Sequence, residues 1–407
     1  MKKLIGALAL AAMVATSAFA EVSFGGWVRT LPTFVGSNGE DIKTGALSAS
    51  WGGPFWARFD SSWASDDGKA GLNMRLNADA GGVGTHDDVG IWLKPIDMVT
   101  VQIGSLWNFA GLRGDFCYGS WNWLRPNTWI ADDEGLTFNP GSAHGAQGIG
   151  VLIAPTEALK IVINSQLANT LQRGDEGLGK SSIAAAYTID GIGTIKAGFF
   201  GDYNAAGDAS KYGTIEGAFD LTAVDKLFLT VGVAYRIASS DYWKGVHAND
   251  GKKDRKADGA AASISERIAN AYASTKENYM LKAALGASYG ITEAFKLSAS
   301  FAMFMFNKDV ADDPMMQFGV GVDYALNDTF GLVADVRMLM PNNKADPSLS
   351  FLAGITGSVG SNASLGIGFQ GGVGFGDKAN AVRYPVISAT EANKFAWAVP
   401  IKAELWF

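Results

Sequence analysis

The chain has 407 residues, a formal net charge of −7, 48% hydrophobic residues, only 18% charged residues and a single cysteine. One cysteine builds neither a disulfide framework nor a thiolate zinc site, and the acidic balance argues against nucleic acid as a partner. The hydrophobic fraction, the 51 glycines and the dense aromatics exclude a disordered chain.

Residues Met1 to Ala20 read as an export signal. Lys2 and Lys3 form a positive leading region, Leu4 to Val14 an apolar one, and Ser17-Ala18-Phe19-Ala20 a small-residue cleavage site. This predicts a signal peptide over 1–20 and a single domain over 21–407, with the mature chain starting near Glu21 and losing two lysines. After residue 20 there is no run of about 18 apolar residues. Nothing downstream crosses a bilayer as a helix, which leaves an exported soluble protein or a barrel in an outer membrane.

Period two dominates the rest of the chain. Leu227, Leu229, Val231, Val233 and Tyr235 alternate with Thr230, Gly232 and Arg236. Phe318, Val320, Val322 and Tyr324 alternate with Gln317, Gly319, Gly321 and Asp323. Phe330, Leu332, Ala334, Val336 and Met338 alternate with Gly331, Asp335 and Arg337. In the last segment Phe395, Trp397, Val399, Ile401, Ala403, Leu405 and Phe407 share one face, with Lys402 and Glu404 on the other. Successive side chains of a strand point to opposite faces, so each segment has one greasy face and one small or polar face. The segments run roughly 9–13 residues, the length of a tilted bilayer-crossing strand, whereas sandwich strands are nearer five or six.

Eighteen strands are expected, over 22–34, 44–64, 69–80, 86–95, 98–107, 145–154, 158–167, 181–189, 193–203, 212–221, 226–237, 278–289, 294–306, 315–326, 328–340, 348–359, 362–374 and 395–407. The second could be two strands broken at Gly52-Gly53-Pro54. Leu47, Ala49, Trp51, Phe55, Ala57, Phe59 and Trp63 keep one parity across the glycines, which a single kinked strand explains while keeping the strand number even. Sixteen strands is the alternative. The connections alternate between short turns, such as Asp190-Gly-Ile-Gly193 and Asn327-Asp328, and longer polar loops, such as Leu167 to Lys180, Ser239 to Lys276 and Gly376 to Asn393. That is the layout of bacterial outer-membrane barrels. The fold class is therefore all-β, a transmembrane antiparallel up-and-down barrel of about 18 strands with a long third extracellular loop.

With the greasy face on lipid, the other face lines a lumen. It carries Arg58, Asp60, Asn73, Arg75, Asn77, Thr100, Gln102, Lys160, Asn164, Lys196, Glu216, Asp220, Arg236, Lys282, Lys296, Gln317, Asp323, Asp335, Arg337, Gln370, Lys402 and Glu404. Such charges are costly in a dry core and cheap beside water. Arg58 and Arg75 sit on adjacent strands, on the wall that a folded-in third loop would face. That loop, Asn108 to His144, carries Asp115, Asp132, Asp133 and Glu134. Opposed charges across a narrow water-filled opening would set a transverse field; ordinary lumen ion pairing is the alternative for these residues, and a surface loop is the alternative for the segment.

No catalytic or metal constellation stands out, so no enzyme, cofactor or metal site is expected. His86, His144 and His247 lack ligand spacing, His86-Asp87-Asp88 reads as a solvated turn, and Cys117 is unpaired. The glycine clusters Gly145 to Gly150 and Gly371 to Gly376 lie on alternating strands and open no helix, which a phosphate loop requires.

The signal peptide, the alternating strands and the ending Ala403-Glu404-Leu405-Trp406-Phe407 resemble Gram-negative outer-membrane barrels, in which a final aromatic residue is read by the barrel-assembly machinery. The resemblance implies an outer-membrane location and that role for Phe407. The start Ser23-Phe-Gly-Gly-Trp27 is loosely similar to spirochaetal outer-membrane proteins. The size and position of the third loop resemble trimeric porins, in which it narrows the lumen. The implied function is a porin-like channel for diffusion of small hydrophilic solutes, assembled as a homotrimer. An adhesin acting through the loops at 108–144 and 239–276 is the second reading. A carrier of hydrophobic substrates is the third; it would need a plug and a greasy lumen, and the sequence shows neither.

Overall fold

The structure, a computed structural model, describes residues 22–30, 32–48, 56–79, 82–83, 88–106, 112, 147–166, 181–203, 211–238, 279–307, 314–340, 347–375 and 394–407. These form a closed antiparallel barrel of eighteen strands, with no helix among the described residues.

In chain order β1 consists of Ser23–Thr30 and Pro32–Ser37, and β2 of Ile42–Ser48 and Trp56–Ala64. Next come β3 (Ala70–Asp79), β4 (Gly82–Val83 and Asp88–Ile96), β5 (Val99–Ser105) and β6 (Gln147–Ile153). They are followed by β7 (Leu159–Gln166), β8 (Ser181–Ile189), β9 (Gly193–Tyr203), β10 (Lys211–Leu221), β11 (Leu227–Ala238) and β12 (Tyr279–Gly290). The circuit finishes with β13 (Phe295–Phe306), β14 (Met315–Ala325), β15 (Phe330–Met340), β16 (Ser348–Ser358), β17 (Ala363–Gly374) and β18 (Phe395–Trp406). Each strand pairs with its sequence neighbours, and β18 returns to β1 in the register Trp27↔Trp406, Arg29↔Glu404 and Thr30↔Ala403.

The second strand is one strand. Both of its segments pair with β1, Trp56–Ala64 against Ser23–Thr30 and Ile42–Ser48 against Pro32–Ser37. The single parity expected along it does not carry through: Leu47 is the register partner of Thr33, and Ala57 of Val28, two β1 positions of opposite parity. The glycines at 52 and 53 lie outside the described residues. The first strand also departs from expectation: it continues to Ser37, and its register shifts between Thr33 and Val35. Pro32 explains part of that break, because proline cannot donate to the ladder.

The barrel is inside out relative to a soluble protein. On β11, Val231, Val233, Tyr235 and Ile237 are exposed, while Thr230, Gly232, Ala234 and Arg236 are buried. On β14, Phe318 and Val320 are exposed and Gln317 is buried. Exposed apolar side chains also run along β4–β10 and β15–β18, among them Ile91, Ile163, Ile195, Ile215, Val336 and Ile367. A surface of this kind is stable only against acyl chains, and a closed ladder is the one sheet that leaves no unpaired backbone in them.

At one end of the barrel neighbouring strands are joined by short turns built from local side-chain hydrogen bonds. The Asn327 Oδ1 accepts the backbone N–H groups of Thr329 and Phe330, each at 2.8 Å. Thr156 and Thr292 hydroxyls accept the N–H three residues on, from Leu159 at 3.1 Å and Phe295 at 3.0 Å. Gly191 and Gly360 hold φ at +68° and +69°, which glycine adopts without strain.

Candidate functional site

The polar faces of the strands converge on the lumen wall. β2 directs Arg58 and Asp60 inward, and β3 directs Arg75 inward beside them, since Asp60 and Arg75 are register partners. The two arginines meet at one carboxylate. Arg58 Nε donates to Asp60 Oδ2 at 2.8 Å, and Arg75 Nε donates to Asp60 Oδ1 at 2.7 Å. All three side chains are part-exposed: 28% for Arg58, 23% for Arg75 and 38% for Asp60.

Beside this trio, across the closing strand pair, Arg29 donates to Glu404 and lies 3.9 Å over the Trp27 ring. Lys402 Nζ is 2.9 Å from the other oxygen of Glu404. Arg29 and Trp27 are absent from the lumen set expected from sequence. Their parity is readable, because Phe24 and Val28 take the opposite face of the same segment.

Further round the wall the charges pair one to one. Lys196 Nζ lies 2.6 Å from Asp220 Oδ2, and the Thr230 hydroxyl donates to Asp220 Oδ1 at 2.6 Å. Lys282 Nζ lies 3.9 Å from Glu216. Arg236 and Lys282 both stand over the Tyr279 ring, at 4.3 and 4.6 Å. Tyr279 reaches the lumen through a register irregularity between Tyr279 and Leu281, a parity break that alternation counting misses. Arg337 donates through Nε to Asp335 Oδ1 at 2.6 Å and through Nη2 to Oδ2 at 3.4 Å, with side-chain exposures of 4% and 0%.

Of the sequence-predicted lumen residues, Arg58 and Arg75 come together at Asp60, whereas Arg337 stands on β15, well round the barrel from β2. Asp115, Asp132, Asp133 and Glu134 lie outside the described residues, as do His86, His144, His247 and Cys117. Asp88 is no solvated turn. It is a buried strand residue that faces Arg75 across the ladder and accepts the Ser105 hydroxyl at 2.7 Å. Phe407 packs outward between Phe24 and Phe59, with ring centroids 6.0 and 5.8 Å away. Among the described residues no group of three or more His, Cys, Asp or Glu is placed to hold a metal.

A closed antiparallel barrel with a greasy exterior and a wall of ion pairs within defines an outer-membrane channel protein. The chain belongs to the Gram-negative porin family, which matches residues 7–346. No curated protein matches it. Among solved structures it is similar to a loop-deletion form of the outer-membrane protein OmpT of Vibrio cholerae, at 13% identity and TM-score 0.48, covering 95% of this chain and 99% of that one. A triple mutant of the Rhodopseudomonas blastica porin aligns at 12% identity and TM-score 0.47, covering 95% and 100%. The trimer form of OmpT aligns at 14% identity and TM-score 0.47, covering 96% and 100%. Family and fold together point to a channel and not to an enzyme.

Proposed function

We propose that the barrel is a passive diffusion pore for small hydrophilic solutes. The observation that carries this is the inward convergence of ion-paired side chains inside a closed eighteen-strand wall, which is too wide for its side chains to fill. Water and dissolved solutes suit such a surface; a hydrophobic cargo does not. The same reading takes residues 1–20 as a signal peptide removed on export, the outer-membrane lipids as the solvent of the exterior, Phe407 as the residue read by the barrel-assembly machinery, and a homotrimer as the assembly.

Liposome swelling tests it. Vesicles carrying the refolded barrel should swell in arabinose, and more slowly as the sugar is replaced by larger ones. Vesicles that stay impermeable while holding a folded barrel would refute the pore. Cross-linking in detergent reports the subunit number separately.

A further inference from the structure

We infer that Trp406 and Trp27 form a stacking platform for ring sugars near the short-turn mouth of the lumen, so that neutral saccharides are held on the wall as they pass. This deepens the pore reading and rests on it.

The two tryptophans reach the lumen at the closing seam. Phe407 packs outward with Phe24 and Phe59, so its neighbour Trp406 takes the inward face. Trp27 is the register partner of Trp406, and both lie on the face that carries Arg29 and Glu404. The turn at Asn362 fixes the backbone of Trp406. The Trp406 N–H donates to the Asn362 C=O at 2.7 Å, and Asn362 Nδ2 donates to the Trp406 C=O at 3.0 Å. Trp406 is nevertheless 42% exposed, an open indole among ions and hydroxyls. An interfacial girdle does not account for it, because girdle aromatics face lipid. Arg29 covers one face of Trp27, which leaves Trp406 as the open plate.

Beside the plate the wall steps down at a glycine. Gly25 is the next inward position from Trp27 on β1, and its register partner on β2 is Asp60. Ser23 and Ser62 follow as register partners, their hydroxyls 2.7 Å apart and exposed. Each Asp60 oxygen accepts one arginine N–H, and a carboxylate oxygen has a second lone pair to offer. A flat indole beside a bare backbone step, a part-exposed carboxylate and two hydroxyls matches one chemistry. A pyranose has a face of C–H bonds, which is attracted to the negative face of an aromatic ring, and a rim of hydroxyls, which hydrogen-bond to carboxylate and serine oxygens. A purely hydrophobic solute would leave those oxygens unmatched, and an inorganic ion would have no use for the indole.

Planar-bilayer recordings of the full-length barrel, refolded from denaturant, test the inference with glucose and its open-chain relative sorbitol as probes. The two are nearly equal in size, but only glucose has a ring face to lay on an indole. Glucose should reduce the potassium chloride current saturably and add binding noise to the open channel, whereas sorbitol should reduce the current only in proportion to viscosity. Trp406→Ala should raise the half-blocking glucose concentration by about three- to tenfold, the scale of one aromatic contact, and Trp406→Phe should keep most of the block. The comparison of the two probes needs no variant, so it is decisive should Trp406→Ala fail to fold. If glucose lowers the current no more than sorbitol does, or if Trp406→Ala is blocked like the wild type, the sugar platform is overturned while the pore stands. If the folded wild type carries no current at all, both readings fall together.

Discussion

Gly26 and Phe407 exchange backbone hydrogen bonds, Gly26 N–H to Phe407 C=O at 2.9 Å and Phe407 N–H to Gly26 C=O at 3.1 Å. This reciprocal pair fastens the foot of the barrel where its first and last strands meet. A Cβ on Gly26 would collide with the carbonyl oxygen of Arg58, a backbone atom that cannot swing away. Gly26→Val should therefore abolish the compact, heat-modifiable band of the folded barrel on gels. Gly217→Ala, whose nearest neighbour would be 3.8 Å away, should fold normally.

Phe407 itself closes an exterior aromatic cluster with Phe24 and Phe59. Phe407→Ala should lower the stability of the refolded barrel by about 1–2 kcal/mol, the worth of two aromatic contacts, measured by urea unfolding in detergent or lipid. If Phe407 also carries the assembly signal, delivery to the outer membrane in cells should drop by more than that loss explains.

The two faces of the barrel wall should respond oppositely to charge. Val233→Lys places an ammonium among acyl chains midway along β11 and should cost about 2–4 kcal/mol. Thr194→Lys points into the lumen, where its register partner is Asp220, and should be tolerated. Folding titrations of both variants in lipid vesicles check the difference.

Arg337 should matter to stability rather than to conduction. Arg337→Ala leaves Asp335 charged in a shielded position and should cost about 3 kcal/mol. Adding Asp335→Ala should recover much of that loss in the same urea titration.

In the turn between β2 and β3, the Ser65 hydroxyl at 2.6 Å and the Lys69 N–H at 3.1 Å donate to Asp67 and hold its carboxyl below the usual 3.8. A carboxyl whose folded value is depressed stabilises the turn fully above its unfolded value. That support fades as pH drops through the lowered value. The Lys69 amide should lose protection relative to its intrinsic exchange rate in this acidic window, and Asp67→Asn should remove that pH-dependent loss.

Strand position and facing are legible because the bilayer imposes one rule on every crossing: apolar outward, polar inward, period two. The second strand is legible as one strand through the need for an even strand number. The parity drawn through Leu47 and Ala57 is not a sound guide there, because their partners Thr33 and Val28 differ in parity. Parity fails likewise where the backbone shifts register beside Tyr279, which hides that ring's inward position from the sequence. The site is legible in part. Arg58, Asp60 and Arg75 fall on one face of adjacent strands, but their convergence on a single carboxylate depends on register, and composition does not encode it. Asp88 resembles a loop residue in sequence because its neighbours are His86 and Asp87.

Arg29 and Glu404, separated by 375 positions, are partners in the final seam. Every other strand can find its mate from the chain next to it, but β1 waits until β18 has been synthesised. Until then the growing polypeptide has an unsatisfied edge and a wholly oily outer surface. A chain cut short before Phe395 therefore leaves this edge of β1 without its partner strand.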